Sequence, residues 1–120
     1  MVLVSTDVII GNYIIELVEK GRRRFSFAEL KEFDDVLSLR VAKLEYHFKP
    51  LPFHVEDFAD TYREFVRQDR DGFFIPKDVD KPLLIRHFRI GCSVDLLNEI
   101  KNVVNELLAK QESKEYQETV

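Results

Sequence analysis

The chain reads FSFAEL from Phe25 to Leu30, and this stretch gives the clearest local signal in the sequence. Ser26 can cap a helix, because its side-chain oxygen accepts a hydrogen bond from a backbone amide of the first turn. Glu29 stands three residues later, where its carboxylate can reach back to the amide of the cap, and apolar residues at both ends of the stretch occupy staple positions. The sequence therefore predicts that a helix begins at Phe27.

Upstream of this stretch, apolar residues recur at helical spacing and predict a first helix from Thr6 to Lys20. Gly21 follows directly, at the position where a left-handed residue commonly ends a helix. A competing interpretation places a short strand at Val2 to Val4 and starts the helix near Asn12, because a glycine weakens the first turn.

Downstream, the helix that begins at Phe27 is expected to be short. The pair Asp34-Asp35 offers a new cap after about two turns. Apolar residues from there onward, at spacings of three and four, predict a further helix from Asp35 to Phe48, before the break at Pro50 and Pro52.

The second half of the chain predicts two more helices around an ambiguous segment. An apolar stripe from Val55 to Val66 indicates one helix, and a cleaner stripe from Val94 to about Lys110 indicates the last. Between them, Phe73 to Ile75 is typical of a strand, whereas Leu83 to Ile90 is either its hairpin partner or a helix. The predicted fold is therefore mostly α, with about five helices, winged-helix-like or a small bundle, and α+β if these two segments pair.

Length and composition are consistent with one globular domain. The chain has 120 residues, of which 45% are hydrophobic and 33% charged, enough apolar material for a single core. We expect that domain to cover residues 1–110 and the polar residues 111–120 to form a frayed tail. The net charge of -4 argues against a protein that coats nucleic acid non-specifically, because such binding needs a broad basic surface.

The best functional match is to a helix-turn-helix template over Phe27 to His47. The template's four apolar places hold Leu30, Val36, Val41 and Leu44, and Asp35 takes the place that tolerates left-handed geometry. In a winged-helix variant, Arg22 to Phe25 would form the extended stretch before the second helix. The sequence thus predicts a DNA-binding regulator, with phosphate and groove contacts from Arg22, Arg23, Arg24, Ser38, Arg40, Lys43 and His47.

An alternative function is a protein-interaction module that docks on a larger partner. Leu37 or Leu39 would face outward on the same helix, and a leucine is unusual on a DNA-reading surface. The acidic charge and ten phenylalanines also favour this alternative. The stripe of the last helix would either seal the core or pair two chains as a homodimer, through Leu97, Ile100, Val104 and Leu107.

Other functions are disfavoured by missing motifs. The sequence has no phosphate-binding glycine loop, nucleophile elbow or paired-ligand metal motif, so we expect no enzyme, cofactor or metal site. No stretch is apolar for long enough to span a membrane, and the first residues lack the features of a signal peptide. Cys92 is the single cysteine and is expected to be a structural thiol in a cytoplasmic protein.

Overall fold

The computed structural model describes residues 2–48, 55–89 and 92–118. Five α-helices and five short strands lie in these residues, together with a 3₁₀ turn at Ala42–Leu44, and they confirm a mostly helical fold. In chain order the elements are β1 Val2–Val4, α1 Thr6–Glu19, β2 Arg24–Phe25, α2 Phe27–Val41, β3 Tyr46–Phe48, α3 Val55–Thr61, β4 Arg67–Asp69, β5 Gly72–Phe74, α4 Lys81–Phe88 and α5 Val94–Glu118.

The ends of α1 and the start of α2 follow the local sequence. The hydroxyl of Ser26 accepts a hydrogen bond of 3.1 Å from the amide of Glu29, as the capping pattern predicts. Gly21, just beyond α1, has a φ of 75°, which glycine adopts without strain. The strand of the competing interpretation is also present as β1, but α1 begins immediately after it and not near Asn12.

The predicted helix break at Asp34-Asp35 is wrong. A single helix, α2, continues to Val41, because Asp34 is buried and the apolar face of the helix runs unbroken through Phe33 and Leu37. A 3₁₀ turn follows directly at Ala42–Leu44, and the chain changes direction at Glu45, which has a φ of 62°. The helix-turn-helix pair expected over residues 27–47 is therefore not formed. The end of that segment is a 3₁₀ turn followed by β3, and Pro50 and Pro52 lie outside the described residues.

Two small sheets join distant parts of the chain. β1 pairs in parallel with β3, from Val2 opposite Tyr46 to Val4 opposite Phe48. The second sheet is antiparallel with the order β2-β5-β4, so that the strand after the first helix lies against the hairpin that follows α3. We call the hairpin of β4 and β5 the wing.

The ambiguous segment after the hairpin is helical through Phe88, and Ile90 lies outside the described residues. It does not pair with Phe73 to Ile75. The carboxylate of Asp80 caps α4 by accepting a hydrogen bond of 3.1 Å from the amide of Leu83. The strands that pair with β5 are β2 and β4, of which β4 is its hairpin partner. The preceding helix α3 ends at Thr61, earlier than its apolar stripe suggests.

Helix α1 lies at the centre of the core and packs against both α4 and α5. The side of α5 that carries Leu96, Ile100 and Val103 is buried and seals the core, and Ile100 and Val104 are the two residues of the predicted stripe that lie on it. The helix continues to Glu118, beyond its predicted end at Lys110. Within the described part of the chain, no helix is both long and apolar enough to cross a membrane.

A close helix contact and a buried polar cluster hold α4 on α1. Gly11 of α1 lies directly against the ring of Phe88. The side-chain amide of Asn12 donates to the carbonyl oxygen of Phe88 at 3.3 Å, and the guanidinium of Arg89 pairs with the carboxylate of Glu16 at 3.0 Å. The end of α4 is thus held on α1 by close packing, by a hydrogen bond and by an ion pair.

Candidate functional site

The arginines predicted to contact phosphates are engaged within the protein. Arg22 forms an ion pair of 2.7 Å with Glu29 on α2. Arg24 forms another of 2.7 Å with Asp69 on the wing, and its guanidinium lies 5.4 Å from the centre of the Phe74 ring. Both positive charges are therefore matched by a carboxylate.

Arg23 has a structural contact of a different kind. Its guanidinium donates to the backbone carbonyls of Pro76 at 2.8 Å and Val79 at 3.0 Å. These bonds tie β2 to the loop between β5 and α4, and they leave the side chain half-buried. Arg22, Arg23 and Arg24 thus each connect β2 or the turn before it to another element of the fold.

The remaining predicted DNA-contacting residues are divided between internal contacts and solvent. The hydroxyl of Ser38 donates to the carbonyl of Asp34 at 2.8 Å, and Arg40 pairs with Glu106 of α5. Lys43 is exposed and has no ion-pair partner among the described residues.

His47 lies in β3, where its backbone is opposite Leu3. Its side chain lies outside the part of the chain whose side chains are described.

The predicted protein-interaction residues separate into core and surface. One of Leu37 and Leu39 was expected to face outward: Leu39 does, at 77% exposed, whereas Leu37 is fully buried and cannot contact a partner. Ile100 and Val104 lie in the core of the single chain and cannot pair two chains without unfolding it. The other two residues of that stripe, Leu97 and Leu107, are half-buried.

Leu39 borders a cleft of about 510 Å³ between the end of α2, the 3₁₀ turn and α5. We call this the α2–α5 cleft, and its lining residues are Leu39, Arg40, Lys43, Leu44 and Glu99. The turn at Glu45 ends the 3₁₀ segment and leaves Leu44 at the surface, 41% exposed.

The charges of the α2–α5 cleft are only partly satisfied. Arg40 is neutralised by Glu106, but Lys43 and Glu99 form no ion pair with each other or with another described residue. The cleft therefore combines two exposed leucines with a cation and an anion that have no ion-pair partner in the described part of the chain.

Sequence reasoning identified Leu39 and Lys43 but missed two members of this surface. Leu44 was assigned to an apolar place of the template, where it would have been buried. Glu99 belongs to none of the motifs that the sequence contains. Nothing in the local sequence signals that α2 and α5 lie side by side, and that contact is what brings the members of the cleft together.

Helix α3 follows α2 and precedes the wing, so a DNA-binding interpretation would make α3 the second helix of the pair, the one that enters the groove. It reads VEDFADT and has no lysine or arginine. Asp57, Asp60 and Glu64 are exposed, and exposed Arg63 lies 4.0 Å from the carboxylate of Asp60. Acidic side chains still outnumber this arginine. This surface is acidic and would repel phosphates.

A second cleft of about 420 Å³ lies near the start of α1 and includes Asp7, Asp60 and Glu64. The hydroxyl of Tyr62 donates to the carboxylate of Asp7 at 2.7 Å, so part of its lining is already satisfied. Within the described residues, no group of three potential ligands could hold a metal ion.

Cys92 is half-buried, and burial raises the pKa of its thiol. The thiolate is the nucleophilic form, so this cysteine is poorly suited to catalysis.

Comparisons with known proteins add no assignment, since no family model, curated protein or solved structure matches the chain.

Proposed function

We propose that this protein is a protein-interaction module that docks its partner on the α2–α5 cleft. The observation that carries the proposal is the exposure of Leu39, which leaves 77% of a large apolar residue in water beside a cleft that Leu44 also lines. Fully burying a leucine side chain gains about 2 kcal/mol, so an apolar partner surface would be held here. The partner's complementary chemistry is apolar, with an anion placed to meet Lys43 and a cation placed to meet Glu99.

The charges of the predicted DNA-binding residues also favour a protein partner. Binding to DNA is driven by basic side chains that displace counterions from phosphates. Arg22, Arg24 and Arg40 are each neutralised by a carboxylate of the same chain. A protein surface with charges of both signs suits the cleft better than a polyanion does.

We expect Leu39→Asp to weaken binding of the partner by about 30-fold, the effect of losing a central apolar contact worth about 2 kcal/mol. The tagged chain is purified from its own cells, and proteins that accompany the wild type but not the variant are identified by mass spectrometry. Each is then purified and titrated against both chains by calorimetry. Leu39 is exposed, so the variant should keep the wild-type melting temperature.

Gln68→Asp is the matched control, because it also introduces a carboxylate at an exposed site, on β4 of the wing. It should bind like the wild type. A purified partner that binds the Leu39→Asp variant with unchanged affinity would contradict the proposed surface.

DNA binding is the second candidate, and the short strand β2 before α2, where a winged-helix variant has an extended stretch, is the observation that favours it. Arg67 and Arg70 are exposed on the wing and are available to phosphates. Because α3 is acidic, we nevertheless expect no binding of labelled duplex DNA even at about 50 mM salt, where phosphate contacts are strongest. Fluorescence anisotropy measures this. Binding that is lost on Arg67→Glu and Arg70→Glu, and not on Leu39→Asp, would favour the second candidate over the first.

A further inference from the structure

We propose that the occupant of the α2–α5 cleft is a second copy of this chain, so that the protein forms a two-fold homodimer through this surface. The inference rests on the proposed function, because it names the partner of the same cleft. It differs from the dimer expected from the stripe of the last helix, whose central residues Ile100 and Val104 lie in the core.

The charges of the cleft are self-complementary. In a two-fold symmetric interface every contact between two different residues occurs twice, once in each direction. Lys43 and Glu99 both line the cleft and are unpaired among the described residues. Two copies related by a two-fold axis can therefore form two Lys43–Glu99 ion pairs at once, leaving neither charge unmatched.

The apolar groups of the cleft have the same self-complementary character. Leu39 projects into solvent, and the cleft beside it has about 510 Å³ of space lined in part by Leu44. A protruding leucine and a recess on one surface can be filled reciprocally when the second copy presents the same surface. Leu39 of each copy is then buried in the cleft of the other copy.

Sedimentation velocity of the full chain tests the proposal over concentrations from about 1 to 200 µM, a range that brackets a micromolar dissociation constant. The wild type should change from monomer to dimer with increasing concentration. Lys43→Glu and Glu99→Lys should each raise the dissociation constant at least tenfold, because each single reversal places like charges opposite each other twice. The double variant Lys43→Glu/Glu99→Lys should recover the wild-type constant to within about threefold, because the pairs are restored with inverted sign.

Lys77→Glu is the matched control, since Lys77 is also an exposed lysine without an ion pair among the described residues. It should dimerise like the wild type, and circular dichroism melts should show that all variants are folded. A chain that stays monomeric at every concentration overturns the proposal, as does a dimer that is indifferent to both reversals. If the chain stays monomeric but binds another protein through Leu39, the homodimer proposal is wrong and the docking surface stands. If Leu39→Asp changes neither the dimer nor the binding of any partner, both the homodimer proposal and the proposed docking surface are wrong.

Discussion

Gly11→Ala is expected to lower the free energy of unfolding by about 3 kcal/mol, the upper end of the usual cost of overpacking a core. A Cβ atom at position 11 would lie 2.0 Å from Cγ and 2.2 Å from Cδ1 of Phe88. The ring cannot move aside easily, because it is buried and packs edge-on against Phe65 with centroids 5.0 Å apart. The substitution would force α1 and α4 apart.

The sign of this effect is diagnostic, because an alanine in place of glycine at an open helical position stabilises a helix by about 1 kcal/mol. Equilibrium unfolding in urea measures it. The double variant Gly11→Ala/Phe88→Leu should lose less stability than the sum of the two single variants, because the smaller side chain makes room for the methyl group. A Gly11→Ala chain as stable as the wild type would show that the two helices do not approach as described.

Arg89→Met is expected to cost about 3–5 kcal/mol at neutral pH, the usual result of leaving a buried charge without its partner. Glu16 is 3% exposed, and its carboxylate lies 3.0 Å from the Arg89 guanidinium. Burial, and next the charge of Glu19, raise the pKa of Glu16, while Lys101 and Arg89 oppose the rise. Removing Arg89 should raise that pKa further.

The pH dependence gives this prediction its test. A carboxyl whose pKa is raised by folding binds more protons in the folded than in the unfolded state, so its stability contribution falls as the pH rises between the two pKa values. The deficit of Arg89→Met should therefore shrink as the pH is lowered towards the ordinary glutamic acid value of about 4.3. Chemical unfolding at a series of pH values measures the deficit.

The control for the same pair is the double variant Arg89→Met/Glu16→Gln, which carries no buried charge at either position. It should be more stable than Arg89→Met alone at neutral pH and should lack the pH-dependent deficit. A loss of under about 1 kcal/mol for Arg89→Met, with no dependence on pH, would contradict a buried ion pair.

The parts of the fold that sequence predicted well depend on local chemistry. The Ser26 cap, the stop at Gly21 and the stripe of α5 need only backbone hydrogen bonds and helical spacing, which neighbouring residues determine. The wrong prediction of a helix break at Asp34-Asp35 arose because tertiary packing, which the local sequence does not show, decides the conformation there. An aspartate caps a helix only if the backbone turns there, and the packing of Phe33 and Leu37 in the core keeps α2 straight through it.

The candidate surface was predictable only in part for a related reason. Leu37 and Leu39 are two residues apart, so one helix presents them on different sides, and only the docked position of α2 decides which is buried. Glu99 lies sixty positions away from Leu39 in sequence order and joins the cleft through the packing of α2 on α5. The spacing of apolar residues within one helix does not predict which residues of another helix it will contact.

The central claim, docking through the α2–α5 cleft, is tested most directly by hydroxyl-radical footprinting of the chain alone and in complex. The complex is formed either at high concentration of the chain or with a partner that needs Leu39. We expect side-chain oxidation at Leu39 and Leu44 to fall on complex formation, with half-buried Phe74 of the wing unchanged as internal reference. Unchanged oxidation of both leucines in a complex, with protection of the wing instead, would contradict the account.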